Sequence, residues 1–269
     1  MTASLQIRLL GVRGSVPVHG PAFARFGGAT SCVFCLAGKE AILLDAGSGL
    51  LWEELPQALP EKHFSVLLTH AHVDHILGFP MFAPLFDKTY ECDVYLKYRQ
   101  GRSAKEQVEA LMAPPLWPVG PTALKADIRF QDVPSAFCIG DVLVRTMEAI
   151  HPGGATIFKL TRGEASLVYA TDFEPDPERT EAFCTFAQGC SLLLLDAQYT
   201  REEYTSTKGF GHMPVDQAAE LAAACGAKKT LFVHHAPGRT DQQLLALERQ
   251  VQTEYPNIAF GRAGEALCL

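Results

Sequence analysis

The sequence predicts an α/β protein built as a four-layer αβ/βα sandwich, with two mixed β-sheets packed face to face and helices outside. In the first half of the chain, apolar and alternating runs typical of strands follow one another. In the second half, amphipathic helical patterns alternate with short apolar strands, and two packed sheets accommodate that order. No linker-like break or internal repeat divides residues 1–269, so we predict a single domain.

The composition is that of an ordinary globular protein. Hydrophobic residues make up 48% of the 269 residues and charged residues 20%, which suffices for a substantial core. A net charge of −7 argues against extended nucleic acid as a partner, which needs a basic stripe, but leaves room for a small anionic substrate. Neither a membrane-length apolar run of ~18 residues nor a secretory leader is present in the sequence. We therefore predict a cytoplasmic protein without a membrane partner, and leave the oligomeric state open, with a homodimer as one alternative.

The eight cysteines are scattered along the chain, which predicts buried thiols in a reducing compartment rather than a disulfide framework. Cys32 and Cys35 match a CxxC spacing. They fall in a predicted strand, however, which points the two sulfur atoms to opposite faces. We therefore expect neither structural zinc nor redox chemistry at this pair.

The first half of the chain is predicted to be mainly strand. Its strands are short apolar or alternating runs, at residues 5–10, 32–36, 41–44, 66–68 and 93–96. Residues 11–31 form a long loop rich in glycine and proline, of a length that is usually functional in a compact domain. Residues 103–112 have a helical pattern, and the four prolines of residues 113–121 require another loop.

The second half begins with antiparallel strands and ends in alternating helices and strands. The predicted strands are residues 128–130, 137–139, 141–150, 157–160, 166–170, 191–195, 230–233 and 258–260. Helical patterns cover residues 178–188, 214–225 and 241–252.

Residues 65–80, SVLLTHAHVDHILGFP, carry the densest group of potential metal ligands. Four of them follow the apolar strand within six residues: His70, His72, Asp74 and His75. The carboxyl end of a strand is where open α/β sheets place their sites. One cation cannot easily use all four groups and remain open to substrate, whereas two cations can share them. The stretch therefore predicts a metal site.

This stretch resembles the HxHxDH signature of the metallo-β-lactamase-fold hydrolases. The other potential ligands follow in the order that the resemblance implies: a lone histidine (His151), an aspartate (Asp172) and a late histidine (His234 or His235). The resemblance covers essentially the whole chain. It implies the metallo-β-lactamase fold, which is a four-layer sandwich with the two mixed sheets described above.

The resemblance also implies two divalent metal ions: the first held by His70, His72 and His151, the second by Asp74, His75 and His234, with Asp172 bridging them. Imidazole and carboxylate ligands without thiolate suit Zn²⁺, with Mn²⁺ and Fe²⁺ as alternatives. Two such ions bridge a water and lower its pKa toward ~7. Asp74 could accept the proton of that water, so the predicted chemistry is metal-assisted hydrolysis.

His212, in the segment Gly211-His212-Met213-Pro214, indicates the kind of bond that is broken. It resembles a histidine that tRNase Z and related phosphodiesterases of this superfamily place near the leaving group, before the last long helix. A protonated imidazole there would assist the departure of an alkoxide. The alternative is a histidine at a helix entry without a catalytic role.

The sequence departs from the tRNase pattern between Asp172 and His212. Residues 173–211 already contain a predicted helix and strand, so no long basic arm for gripping tRNA remains. This favours a small phosphodiester, and the branch acting on cyclic nucleotides or cyclic ribose phosphates is the more similar one. The alternatives are a thioesterase or lactonase of the same fold, and a non-catalytic, metal-stabilised ligand-sensing module.

Two neighbours of the predicted ligands leave alternatives open. Asp45 ends a predicted strand, where it would accept a hydrogen bond from a ligating imidazole or cap a helix starting near Leu50. His234 and His235 follow the strand of residues 230–233, and because side chains alternate along a strand, both cannot easily reach one metal. The resemblance favours His234 as the ligand. His235 would then line the substrate side, or bond to Asp196 or to a loop.

Overall fold

The computed structural model describes residues 4–269, whose strands form two seven-stranded sheets. The first sheet contains β1 (Gln6–Gly11), β2 (Cys32–Ala37), β3 (Glu40–Leu44), β4 (His63–Leu67), β5 (Glu91–Tyr95) and β6 (Asp127–Gln131), with β14 (Ala266–Cys268) at its edge. The second contains β7 (Ala136–Ile139), β8 (Val142–Ala149), β9 (Ala155–Arg162), β10 (Ala165–Ala170), β11 (Leu192–Asp196), β12 (Thr230–Val233) and β13 (Ile258–Phe260).

Both sheets are mixed. The first has the strand order β14-β1-β2-β3-β4-β5-β6, in which β3 to β6 run parallel to one another. The second has the order β13-β12-β11-β10-β9-β8-β7, with β10 to β13 parallel. Parallel strands end at the same edge of a sheet, and loops that follow them can build a shared site there.

Six α-helices accompany the sheets: α1 (Val73–Ile76), α2 (Ala104–Leu111), α3 (Pro177–Ala187), α4 (Arg201–Thr207), α5 (Val215–Ala224) and α6 (Asp241–Gln252). Capping boxes begin α2, α4 and α6, and each satisfies free amide groups of the first turn. Among the helices within residues 4–269, none combines the length and the apolar character that crossing a bilayer requires.

Three apolar clusters of side chains lie between the successive layers of the fold. The central one joins side chains of both sheets, for example Leu44 and Leu194. One outer cluster packs α3, α5 and α6 on the second sheet, and the other packs α2 and the turns around Phe79 on the first sheet. The predicted four-layer αβ/βα sandwich is therefore confirmed.

The cysteines follow the expectation in most respects. Cys35 lies in the central cluster and Cys32 in the outer one, so the CxxC sulfur atoms point to opposite faces as predicted. All eight cysteines are free, and five are buried. Cys138 and Cys268 are exposed, because both belong to short strands near a sheet edge.

A few elements differ from the prediction. Helix α4 was not predicted, because its residues, REEYTST, have no apolar stripe; the signal was the capping box formed by Thr200 and Glu203. Strand β14 lies after the last predicted strand, in residues for which no element was predicted, and it pairs with β1. The helix expected near Leu50 is a single 3₁₀ turn, Ser48–Leu51.

Candidate metal centre

The predicted metal-binding residues come together where strands of the two sheets end. His70 and His72 follow β4, Asp74 and His75 lie on α1, and the remaining three follow β8, β10 and β12: His151, Asp172 and His234. Asp172 and His234 have φ values of 57° and 60°, in the left-handed region. A residue other than glycine costs about 1–3 kcal/mol in such a conformation, and these conformations cluster at functional sites.

The first cluster consists of His70, His72 and His151, which offer ligand atoms within 4.8 Å of one another. The Nδ1 atom of His72 lies 3.0 Å from Nε2 of His151. The Oδ1 atom of Asp172 lies 3.8 Å from Nε2 of His70 and 3.7 Å from Nε2 of His151. These four side chains can therefore face one cation.

The second cluster consists of Asp74, His75 and His234. Oδ2 of Asp74 lies 3.3 Å from Nε2 of His75 and 3.1 Å from Nε2 of His234. The other oxygen of Asp172, Oδ2, is 3.1 Å from Nε2 of His75 and 3.4 Å from Nε2 of His234. Each oxygen of Asp172 thus faces a different cluster, which is the arrangement of a bridging carboxylate.

The donor set fits metal ions. The Nε2 atoms of His70 and His75 are buried and have no hydrogen-bond partner among residues 4–269. A buried polar atom without a partner is destabilising by about 1–3 kcal/mol, and a cation would satisfy both. Four ligand atoms arranged tetrahedrally around Zn²⁺ lie roughly 3.3 Å apart, close to the separations observed here.

The electrostatics of the site also favour metal binding. Burial lowers the pKa of His70 well below its usual value and the pKa of His151 to about 4, so both imidazoles are neutral and keep a free lone pair. Burial alone would raise the pKa of Asp74, but the neighbouring His75 and His234 hold it far below its usual range. These forms of His70, His151 and Asp74 bind a divalent cation. Burial is outweighed at His75, where Asp172, Asp74 and Asp45 raise the pKa, so this histidine has to lose its proton to bind one.

Asp45 holds an imidazole in place. Its Oδ2 atom accepts a hydrogen bond from Nδ1 of His75 at 2.7 Å and another from the hydroxyl of Tyr169 at 2.9 Å. Its Oδ1 atom accepts from the amide of Thr69 at 2.8 Å. The expected hydrogen bond to an imidazole is confirmed, and the alternative of a helix cap does not hold, since no side chain caps the turn at Ser48–Leu51. Such a partner fixes which nitrogen of His75 faces the site.

The two adjacent histidines point in different directions. His234 joins the second cluster, with Nδ1 bonded to the side-chain oxygen of Gln198 at 2.8 Å. His235 points into the core, where Nε2 donates to the carbonyl of Gly261 at 2.9 Å and the ring stacks on Phe260. Burial lowers the pKa of His235 to about 3. Of the places considered for His235, a bond to a loop is the one observed.

His212 lies beside the second cluster. Its ring stacks on that of His234, with centroids 4.9 Å apart, and its Nδ1 bonds to Oδ2 of Asp196 at 2.6 Å. Burial opposes the charged form, but the carboxylate of Asp196 raises the pKa of His212 to about 9. Its Nε2 has no hydrogen bond within residues 4–269, so this nitrogen is available to donate a hydrogen bond to a bound molecule.

One further contact to the site comes from the loop of residues 11–31, whose length already suggested a function, and another had no clear signal in the sequence. The amide of Ser15 donates to Oδ2 of Asp74 at 2.7 Å, so the loop of residues 11–31 does reach the site. Glu174 accepts hydrogen bonds from the amides of Gly209 and Gly211 and from the hydroxyl of Tyr204. Glu174 therefore holds the loop that carries His212. Only its position, two residues after Asp172 at a strand end, could have suggested a role.

Replacing Glu174 with alanine is expected to lower the free energy of unfolding by about 1–3 kcal/mol, because three hydrogen bonds of the loop lose their acceptor. Denaturant unfolding measures this change. Glu174→Gln is the matched control and should lie between the alanine variant and the natural chain, since its amide keeps one acceptor oxygen. Equal stability of the alanine variant and the natural chain would contradict this account of the loop.

Comparisons with known proteins agree with the metal site that the geometry indicates. The profile of the family described as "Beta-lactamase superfamily domain" matches residues 40–235. Ribonuclease Z of Bradyrhizobium sp. (strain ORS 278) is 23% identical, and the alignment covers 91% of this chain and 94% of the relative. The probable metallo-hydrolase YhfI of Bacillus subtilis (strain 168) is 25% identical over 86% of each chain.

Solved structures share the fold. The crystal structure of YhfI, a metallo-β-lactamase fold protein from Bacillus subtilis, superposes with a TM-score of 0.76 at 20% identity and covers 100% of both chains. A diphosphatase from the PhnP family gives a TM-score of 0.75 at 19% identity, covering 100% of this chain and 98% of the other. Both likenesses extend over the full length of the chain.

Proposed function

The chain belongs to the β-lactamase superfamily and is a metal-dependent hydrolase, and from this premise we propose that it is a dinuclear phosphodiesterase acting on a small phosphodiester, cyclic ones included. The observation that carries the proposal is the pair of histidine and aspartate clusters that share Asp172, with His212 beside them. The clusters supply two metal positions, and His212 supplies a proton donor.

The two metal positions have separate ligand sets in this proposal. The first ion would be held by His70, His72 and His151, the second by Asp74, His75 and His234, and Asp172 would reach both. Zn²⁺ is the ion that this donor set suits best, with Mn²⁺ and Fe²⁺ as alternatives. Bound at these positions, two divalent ions lower the pKa of a water between them and stabilise the charge that develops on the attacked group.

Asp74 is the proposed acceptor for the proton of the attacking water. Its Oδ2 accepts the amide of Ser15 at 2.7 Å and lies 3.1 Å from Nε2 of His234. These contacts fix the direction in which the carboxylate faces the space between the clusters. A positioned carboxylate within hydrogen-bond reach of the nucleophile is the geometry of a general base.

His212 is the proposed donor of a proton to the leaving oxygen. The carboxylate of Asp196 keeps its imidazole protonated and holds Nδ1, which leaves the Nε2 proton for the substrate. An alkoxide is a poor leaving group unless it is protonated as the bond breaks. This requirement is stronger for alkyl phosphodiesters than for activated aryl esters.

A small substrate is supported by the segment between Asp172 and His212. It is occupied by α3, β11 and α4, and within the described residues it contains no extended arm. The net charge of −7 also argues against an extended RNA-binding surface. RNA remains the second candidate, because the curated relatives include proteins named Ribonuclease Z. A thioesterase or lactonase and a ligand-sensing module are less well supported, because neither needs a protonated imidazole beside the clusters.

The test is a comparison of substrates with metal-loaded protein. We expect hydrolysis of bis(p-nitrophenyl) phosphate that stops on chelation and returns with Zn²⁺ or Mn²⁺, together with little activity on a thioester. Faster cleavage of the thioester would support an acyl hydrolase, and faster cleavage of precursor tRNA would support an RNA substrate. Asp172→Ala, purified in parallel, controls for contaminating hydrolases.

We further propose that residues 1–269 act as one domain in a reducing, cytoplasmic setting. The pairing of β1 with β14 joins the two ends of the described chain in one sheet. The eight free thiols suit a reducing compartment.

A further inference from the structure

We propose that residues 13–15, Arg-Gly-Ser, form a clamp that positions two ligands of the second cluster and so determines how tightly the second ion is held. This inference rests on the proposed two-ion site and deepens it, because it names residues outside the ligand set on which one of the two positions depends. The third residue of the clamp, Ser15, donates its backbone amide to Oδ2 of Asp74 at 2.7 Å. The two residues before it fix where that amide lies.

The backbone of the clamp is paired on both sides. The amide of Gly14 donates to the carbonyl of His235 at 3.0 Å, and the amide of His235 donates to the carbonyl of Val12 at 2.9 Å. On the other side, the amide of Arg13 donates to the carbonyl of Ala29 at 3.0 Å. The clamp is therefore fixed between the far end of its own loop and the chain that follows β12.

The side chain of Arg13 anchors the clamp. It is fully buried, and its Nε donates to the carbonyl of Gly27 at 2.8 Å, while Nη1 donates to those of Ala236 and Arg239 at 3.3 and 2.7 Å. The carboxylate of Asp241, 3.9 Å away, offsets part of the cost of burying the charge. A guanidinium carries five N–H donors in a rigid fork and can serve carbonyls in several directions, whereas a lysine ammonium is a single point charge. Arginine therefore suits this anchor and lysine does not.

Gly14 leaves room for the ring of His234. A Cβ atom at this position would lie 2.4 Å from both Cε1 and Nδ1 of the ring, closer than real Cβ atoms come to other atoms. The φ of Gly14 is outside the left-handed region, so glycine is required here by space and not by the backbone conformation. The ring has little freedom to move away, because it stacks on His75 and His212 with centroids 5.4 and 4.9 Å apart and its Nδ1 bonds to Gln198.

The contacts of the clamp go to one cluster. Ser15 holds Asp74 and Gly14 lies against His234, and both of these ligands belong to the second cluster. None of the contacts named here goes to the three histidines of the first cluster. Groups that orient a metal ligand without binding the metal typically contribute about 10–100-fold to metal affinity. A change in the clamp should therefore weaken the second ion and leave the first as it is.

The first experiment measures bound zinc per chain after equilibration with buffered free Zn²⁺ over a range of concentrations. Gly14→Ala should need roughly 10–100 times more free Zn²⁺ than the natural protein to take up the second ion, with uptake of the first unchanged. Arg13→Lys should weaken the second ion in the same direction. Gly238→Ala is the matched control and should bind both ions normally. Gly238 lies in the turn that Arg13 anchors, its φ is also outside the left-handed region, and a Cβ atom there would meet nothing within 4 Å.

The second experiment needs no metal. The added methyl group overpacks the space beside His234, so metal-free Gly14→Ala should have a Tm at least about 4 °C below that of the metal-free natural protein. In the background of His234→Ala the same change should lower the Tm by less than about 1 °C, because the ring that it would meet is absent. If Gly14→Ala does not fold, the double variant should still fold, and zinc uptake by Arg13→Lys then tests the effect on the second ion.

Three results would overturn the clamp: normal uptake of both ions by Gly14→Ala, weakening of the two ions together, or the same fall in Tm with and without the ring of His234. A natural protein that never takes up two ions would instead refute the proposed two-ion site. The comparison of Tm values in metal-free protein would still decide whether Gly14 makes room for His234, so the two failures can be told apart.

Discussion

The variant His234→Ala is expected to bind about one metal ion fewer per chain than the natural protein and to lose nearly all hydrolytic activity. His234 supplies one of the ligand atoms of the second cluster, where its Nε2 faces both Asp74 and Asp172. Without it, only Asp74, His75 and the shared Asp172 would remain for that ion. The activity falls because a single ion no longer lowers the pKa of the attacking water as a pair does. Elemental analysis of protein purified without added metal measures the stoichiometry.

The neighbouring variant His235→Ala is the matched control. It should keep both ions, because His235 bonds to Gly261 and packs on Phe260 rather than facing a cluster. It should lose about 2–4 kcal/mol of stability through the cavity that it leaves. If it fails to fold, His235→Phe replaces it and should also keep both ions. Loss of an ion from the His235 variants, with none lost from His234→Ala, would reverse the assignment.

The general position of the site could be predicted from the sequence because its residues follow strands. Each of these residues follows an apolar or alternating run that predicts a strand: His70, His151, Asp172 and His234. Strand ends of one sheet meet at an edge, which predicted convergence within each sheet. That residues of both sheets share one site was implied by the resemblance of the ligand order to the metallo-β-lactamase fold. The four-layer sandwich followed from the same alternation of periods.

The direction of individual side chains in the site could not be derived from the residues alone, and the choice of His234 over His235 rested on the resemblance. Whether His234 or His235 faces the cluster depends on a φ of 60° at His234, which turns the chain between them. A single backbone angle of this kind leaves no periodic signal. The bond between His212 and Asp196 likewise joins a loop residue to the last residue of β11, and the sequence showed only that His212 precedes a helix and that Asp196 ends a strand.

Contacts that depend on the exact approach of two loops could not be predicted either. The amide of Ser15 bonds to Asp74 across 59 positions of the chain, and backbone donors leave no mark in the sequence. The two-residue turn between Arg99 and Arg102 is a further example, since Gln100 is an unusual residue for a positive φ. Such backbone contacts were therefore harder to predict than the metal ligands.

The variant His212→Ala is expected to lower kcat for substrates with alkyl leaving groups by ~10²–10⁴-fold, the usual contribution of general acid catalysis. Esters with p-nitrophenolate as the leaving group should lose far less, because that anion departs without a proton. The reason lies in Asp196, which holds Nδ1 of His212 at 2.6 Å and favours the protonated ring. Measured kcat values for a series of leaving groups of rising pKa should therefore fall more steeply in the variant. Metal content serves as the control and should not change, and equal losses across the whole series would assign His212 a structural role instead.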